Sequence, residues 1–310
     1  RRYESNDEDD AGAGRTQPAY VHDEPHALMA LILSGRDAAI AWKAYIRKEV
    51  AGRRAQGKRA PHLAAILVGE DPASQAYVKG KVRDCEEVGF ESTLIRLPAD
   101  ATQLELQKHV SDLNSNPAVD GFIVQLPLPA HLNSDEILLL INPKKDVDGF
   151  HPENVGRMAL GLPTYLPATP YGILLLLEHY GLSPEGKHAV VVGRSNIVGS
   201  PMSILLSRNT KMGNATVTLA HSRTPNLAEV CRSADILVAA IGKAKFITAD
   251  MVKPGSIILD VGINRVDGKL IGDVDFDAVE PIVSAITPVP GGVGLMTRVG
   301  LLMNTLNAGS

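Results

Sequence analysis

The stretch AVVVGRSNIVGSP, Ala189–Pro201, decides the fold. Four apolar residues, Ala189 to Val192, run into Gly193; Gly199 follows, and an apolar helical pattern begins behind it. This is the layout of a strand, a tight turn and a helix N-terminus. Free backbone N–H groups and the positive end of a helix dipole suit such a turn to a phosphate. Ser195 stands where the middle glycine of a GxGxxG fingerprint would be, so the pattern also fits an ordinary βα turn of an α/β protein.

The residues after the turn sharpen the reading. In a dinucleotide fold, an acidic residue about 20 positions further on holds the ribose 2′-OH of NAD. No Asp or Glu occurs between Pro201 and Ala228. The next expected strand, Ala215–Ala220, ends in His221-Ser222-Arg223-Thr224, and Arg194 lies in the turn itself. A carboxylate would repel a 2′-phosphate, whereas arginine pairs with one. The charge pattern therefore favours NADP over NAD. Each arginine taken alone also fits a solvated surface charge.

Upstream, strand and helix signals alternate. Arg36–Arg54 carries Ala39, Trp42, Ile46 and Val50 on one helical face. His62–Val68 reads as a buried strand, Ser74–Val88 as a helix stopped by Gly89, Ser92–Leu97 as a strand and Gln103–Asn114 as a helix. Gly121–Leu126 is a strand broken by Pro127 and Pro129, Asp135–Ile141 a short helix, and Asp146–Asn154 a polar loop. The Pro-rich Leu162–Pro170 reads as a hinge ahead of a helix at Tyr171–Tyr180. Strands are further expected at Ile236–Ala240 and Ile257–Val261, a rigid loop at Ile286–Gly294, and a last helix at Val299–Leu306 that folds back on the first domain.

This alternation predicts an α/β fold of parallel sheets with helices on both faces. The expected domains are a disordered acidic tail over 1–25, a first α/β domain over 26–150 completed by a C-terminal helix at 295–310, and a Rossmann-like NADP-binding domain over 151–294. An active-site cleft is expected between the two folded domains.

Composition narrows the function classes. The chain has 310 residues, 45% hydrophobic and 21% charged, with a net charge of −4. That balance fits a globular enzyme and gives no basic field to draw nucleic acid or an anionic membrane. Five Phe and one Trp are too few to form stacking rows for single strands. Cys85 and Cys231 lie far apart and form no zinc spacing, so no metal is expected and the thiols fit a reducing, cytoplasmic setting. Arg1–Pro25 has no apolar core of a secretory signal, and the start at Arg1 rather than Met leaves a removed targeting segment open.

Candidate chemistry lies on the first domain. Tyr77 and Lys81 are four apart on one predicted helix and share a face, while Lys79 points elsewhere. Burial would lower the lysine's pKa and let it exchange protons near neutral pH; a solvated lysine is the plain alternative. Gln125 ends a strand at the carboxyl edge, where parallel sheets place ligands, but also suits a satisfied buried amide. Asp146 and Asp148 could accept hydrogen bonds from an amino-pyrimidine edge or serve as turn residues.

Several segments, in order, resemble the bifunctional methylenetetrahydrofolate dehydrogenase/cyclohydrolase family. They are PASQAYVKGK (Pro72–Lys81), DGFIVQLPLP (Asp120–Pro129), KDVDGFHPENVGR (Lys145–Arg157), VVVGRSNIVGSP, DVGINR (Asp260–Arg265), GDVDF (Gly272–Phe276) and ITPVPGGVG. The likeness runs from about Leu28 to the end. It implies oxidation of 5,10-methylenetetrahydrofolate with NADP+ and hydrolysis of the methenyl product to 10-formyltetrahydrofolate. It further implies Lys81 as the catalytic lysine, Tyr77 against the folate rings, Gln125 setting the lysine's protonation with Leu126 beside it, and Asp148 holding the pterin. Pro290, Gly291 and Gly292 would line the folate site; Gly193, Arg194, Ser195, Ser222 and Ile263 would contact NADP. A homodimer is implied as well.

There are departures from the family pattern. Leu295 and Arg298 stand where a proline and an apolar residue are usual, and Ser34 where an aspartate usually precedes Gly35. Two other readings stay open on the residues alone: another two-domain NADP-dependent oxidoreductase, and a catalytically silent NADP-binding regulator.

Overall fold

The computed structural model describes residues 29–309, so the expected tail lies outside the described residues. The chain opens with β1 (Leu31–Ile32), then α1 (Gly35–Ala55), which is capped by the Ser34 hydroxyl accepting from Asp37 N. Next come β2 (His62–Val68), α2 (Pro72–Val88), β3 (Glu91–Leu97), α3 (Gln103–Ser115), β4 (Gly121–Val124), α4 (Ser134–Leu140) and α5 (Pro152–Ala159). α2 starts where the Asp71 carboxylate accepts from Ser74 N and stops at Gly89, whose φ of 82° only glycine adopts cheaply. β2 pairs in parallel with β3 on one side and β4 on the other.

The second half holds α6 (Ala168–His179), β5 (His188–Val192), α7 (Gly199–Ser207), β6 (Thr216–Ala220), α8 (Leu227–Arg232), β7 (Ile236–Ala239) and β8 (Ile257–Asp260). β9 (Asn264–Val266), β10 (Lys269–Ile271), α9 (Phe276–Val279), β11 (Ala285–Ile286) and α10 (Val293–Ala308) complete the order. The large sheet runs β1-β11-β8-β7-β5-β6, all parallel, and β9–β10 is a separate antiparallel hairpin. β5 lies between β6 and β7, so the strand order reverses at its carboxyl end, where ligands bind in such sheets. β2 occupies the same kind of position in the small sheet. Residues just past the strands of both sheets, Gln125 after β4 and Val261 after β8, line one cavity.

Four expectations need correction. Leu31–Ile32, expected within the first domain, instead pairs with β11 at the edge of the large sheet. The loop expected over Asp146–Asn154 is shorter, because His151 caps α5 by accepting from Glu153 N. The hinge expected over Leu162–Pro170 ends early, since Ala168–Pro170 already form the first turn of α6. The last helix begins at Val293, earlier than both Val299 and Leu295: its glycines are poor helix formers, but packing against α6 overrides propensity.

α10 binds the halves together. It packs along α6 and α1 and touches α2. The glycines at 172 and 300 allow this approach; a Cβ at Gly172 would strike Met296 O, and one at Gly300 would strike Ala168 O. Asn304, 2% exposed, donates from Nδ2 to Val147 O and Leu166 O. The Arg53 guanidinium of α1 reaches Leu306 O and Gly309 O, closing the far end of α10.

Candidate active site

Two adjoining cavities lie between the sheets. One, of about 390 Å³, is lined by Asp71, Tyr77, Gln125, Leu126, Val198 and Ile263 among others. The other, of about 370 Å³, includes Tyr77, Ile263, Pro290, Gly291, Gly292 and Arg298. Tyr77 and Ile263 belong to both, so each half of the chain supplies one wall. Ile263 sits at the root of the β9–β10 hairpin and is 58% exposed.

Lys81 is 7% exposed and lines neither cavity. Its amine reaches the groove through two neighbours that do. Nζ donates to Gln125 Oε1 at 3.3 Å and sits 4.8 Å from the centre of the Tyr77 ring. Gln125 Nε2 donates to Leu126 O at 2.7 Å, which turns the amide so that its carbonyl faces the lysine. Burial holds the Lys81 pKa below its usual value, opposed by the Asp148 carboxylate and assisted by the Arg298 guanidinium. Burial likewise raises Asp148, against the pull of Lys81, and pushes Tyr77 up to about 12. The buried reading of Lys81 thus holds over the solvated one.

The two carboxylates of the 146–148 loop divide. Asp146 is 2% exposed and accepts from His151 N and Asn154 Nδ2, both at 2.8 Å, so it fixes the turn. The Asp148 carboxylate takes no hydrogen bond from the described residues.

The loop 286–292 is held from the first half of the chain. Gly35 N donates to Gly291 O, and a Cβ on Gly35 would strike Gly292 O. At the other bend, Gly193 has φ 117°, and a Cβ there would strike Ala240 O beyond β7. A Cβ at Gly199 would strike Gly193 O, so both glycines are required for the strand-to-helix approach. Ser195 Oγ accepts from Val198 N at 3.2 Å and Gly199 N at 3.4 Å. Arg194, Ser195, Ser222 and Arg223 are exposed around this bend and line neither cavity. An open glycine turn flanked by guanidinium groups suits the phosphates of a dinucleotide.

Two aspartates that spacing did not single out support these walls. Asp273 accepts from Ile241 N, Gly242 N and Lys243 N, and from Asn264 Nδ2. Asp260 accepts from Gly262 N, Asp273 N and Val274 N, while burial lifts its pKa to about 6. Together they anchor the hairpin that carries Ile263. No group of three or more His, Cys, Asp or Glu among the described residues is arranged to hold a metal ion.

Residues 33–148 match the catalytic domain of tetrahydrofolate dehydrogenase/cyclohydrolase, and residues 167–310 match its NAD(P)-binding domain. The chain belongs to the tetrahydrofolate dehydrogenase/cyclohydrolase family. The bifunctional protein FolD of Cytophaga hutchinsonii is 54% identical over 284 residues, which cover 89% of this chain and 98% of that one. The crystal structure of the bifunctional FolD enzyme of Campylobacter jejuni superposes with a TM-score of 0.86 at 45% identity, over 90% of this chain and 98% of that one. The Trypanosoma brucei FolD structure, complexed with NADP cofactor and inhibitor, gives 0.83 at 37% identity, over 91% and 97%. This member of the tetrahydrofolate dehydrogenase/cyclohydrolase family is a bifunctional enzyme of one-carbon metabolism. It acts as a methylenetetrahydrofolate dehydrogenase and a methenyltetrahydrofolate cyclohydrolase, and its nucleotide domain binds NAD(P). No described helix is long and apolar enough to cross a membrane.

Proposed function

We propose that both reactions use one folate seat, walled by Tyr77, Gln125, Leu126, Asp148, Pro290, Gly291 and Gly292, and that Lys81 moves the proton. The observation that carries this reading is the buried Lys81 amine, 3.3 Å from Gln125 Oε1 and over the Tyr77 ring. Gly193, Arg194, Ser195, Ser222 and Ile263 would hold the dinucleotide. When bound, NADP+ supplies the hydride acceptor for the first step. The chain's part in that step is orientation: Tyr77 offers a flat face to the folate rings, and Ile263 stands opposite it. The methylene carbon between N5 and N10 loses hydride and becomes a delocalised methenyl cation.

Water then adds to that carbon. Neutral Lys81 takes a proton from the water, with Gln125 fixing the direction of the amine. Lys81 returns that proton to N5 as the C–N5 bond breaks, and the proton left on the added hydroxyl passes to solvent as the formyl C=O of 10-formyltetrahydrofolate forms. Asp148, free of protein donors, accepts hydrogen bonds from the pterin's amino edge. Because a charged amine cannot accept the proton, hydrolysis rises with pH through a limb that burial places below the usual lysine value.

Lys81→Met is expected to abolish methenyl hydrolysis, followed by the decay of its absorbance, while dinucleotide binding persists. Normal hydrolysis by this variant would refute the role. We infer NADP rather than NAD because Arg194 and Arg223 flank the bend without a carboxylate. We also assign two domains meeting at the groove. A homodimer is supported by the free edge of β3, where Glu91, Ser92 and Thr93 are exposed. The buried cysteine thiols, pushed up to about 12 and about 11 by burial, fit a reducing cytoplasm.

A further inference from the structure

Asp84 on α2 is a buried carboxylate between two cations. Lys43 of α1 binds Oδ1 at 2.6 Å, and Nε of Arg298 on α10 lies 3.0 Å from Oδ2. The second contact pairs charge without a hydrogen-bonding angle, since Oδ2 has no hydrogen-bond donor among the described residues. Lys43 also holds Glu87 at 2.8 Å. The Arg298 side chain is 14% exposed and lies across Gly80, where an added Cβ would strike Nη1. Gly80 is the residue before Lys81. Arg298 therefore reaches the proton-transfer helix from the opposite wall, at the edge of the cavity formed by Pro290, Gly291 and Gly292.

We propose that Arg298 is a positioning residue for the hydrolytic step: clamped on Asp84 and laid over Gly80, its fixed charge keeps Lys81 in the uncharged form that accepts water's proton. This rests on Lys81 being the proton acceptor. The groups around the amine come from four elements. Tyr77, Asp84 and Cys85 share its helix; Gln125 follows β4; Asp148 lies on the loop after α4; Arg298 comes from α10. Tyr77 and Cys85 are each pushed up to about 12 and stay neutral, and Gln125 carries no charge. Asp84 shares its charge between Lys43 and Arg298, and Glu87 supplies Lys43 with a second carboxylate. At the amine, burial is the main effect against the ammonium, Asp148 favours it, and Arg298 adds a smaller push on the side of burial. A guanidinium suits this task because it does not deprotonate in proteins.

The test is the pH profile of methenyl hydrolysis in the full chain. Arg298→Met and Arg298→Gln remove the charge, and Gln keeps a donor for Asp84. In either variant that folds, the rising limb is expected to move up by about one pH unit, lowering the rate below that limb by roughly tenfold. Arg298→Lys should keep the limb within a few tenths of a unit. The dehydrogenase profile should not follow these shifts, because hydride loss needs no proton at Lys81. A limb that stays put in a folded neutral variant, or one that moves as far in Arg298→Lys, overturns the proposal. Lys81→Met run alongside separates the two ideas. If it hydrolyses normally, the underlying reading fails; if it is dead and the Arg298 limb is unmoved, only the present proposal fails.

Discussion

Arg194 illustrates what single side chains contribute here. It is exposed on a bend whose backbone is fixed by Gly193 and Gly199, so the role proposed for it is recognition and not stability. A charge-assisted contact to phosphate is worth about 1.5–3 kcal/mol. Arg194→Ala should raise the KM for NADP+ on the order of tenfold or more and change that for NAD+ by less than about twofold; equal losses in steady-state kinetics would show that it does not read the 2′-phosphate. The bend that carries it was legible because its signal is local: an apolar strand, a glycine and a helix start stand together in the chain. Tyr77 and Lys81 were legible as a pair by helical spacing, although burial had to come from the fold. Asp84 was not legible, because Lys43 and Arg298 reach it across 41 and 214 positions of sequence and no spacing rule links them.

Among the elements, α2 carries both Tyr77 and Lys81 of the proposed site. One side holds Val78, Cys85 and Val88 in the core, and another presents Tyr77 to the groove. Lys81 and Asp84 sit between these sides, each paired rather than solvated. Removing one partner of a buried ion pair costs about 3–5 kcal/mol, because the charges left behind remain desolvated. Asp84→Ala is therefore expected to destabilise the fold by that order, read as a lower denaturant midpoint, since it strands Arg298 and leaves Lys43 only the exposed Glu87. The element boundaries show why sequence patterns stop short. β4 ends at Val124, two residues before the apolar run does, though Gln125 N still bonds Ile66 O. The β9–β10 hairpin carried a readable turn at Asp267-Gly268, with φ 48° and 77°, but its strands are only three residues each. Short strands give too little alternation to register.

At the level of the whole molecule, the parallel α/β plan followed from alternation alone, but the division of the strands did not. β1 contributes two residues to the large sheet, a pairing set by contact with β11 rather than by any pattern in Leu31–Ile32. The close seam between α6 and α10 is equally tertiary. Gly172→Ala should cost about 1–3 kcal/mol by overpacking and reduce both activities together. The colliding atoms belong to Met296 and Thr297, next to Arg298 on the groove wall. A variant with full activity and unchanged melting would show that the seam has slack.

The peptide passes between the lobes at Leu33–Gly35, at 149–167 and at 287–292, and the first and last passages are stitched together where Gly35 N meets Gly291 O. A span tied at several points keeps its two banks aligned. The walls bearing Tyr77 and Ile263 therefore face each other across the groove through backbone that is itself hydrogen-bonded, not through side chains alone.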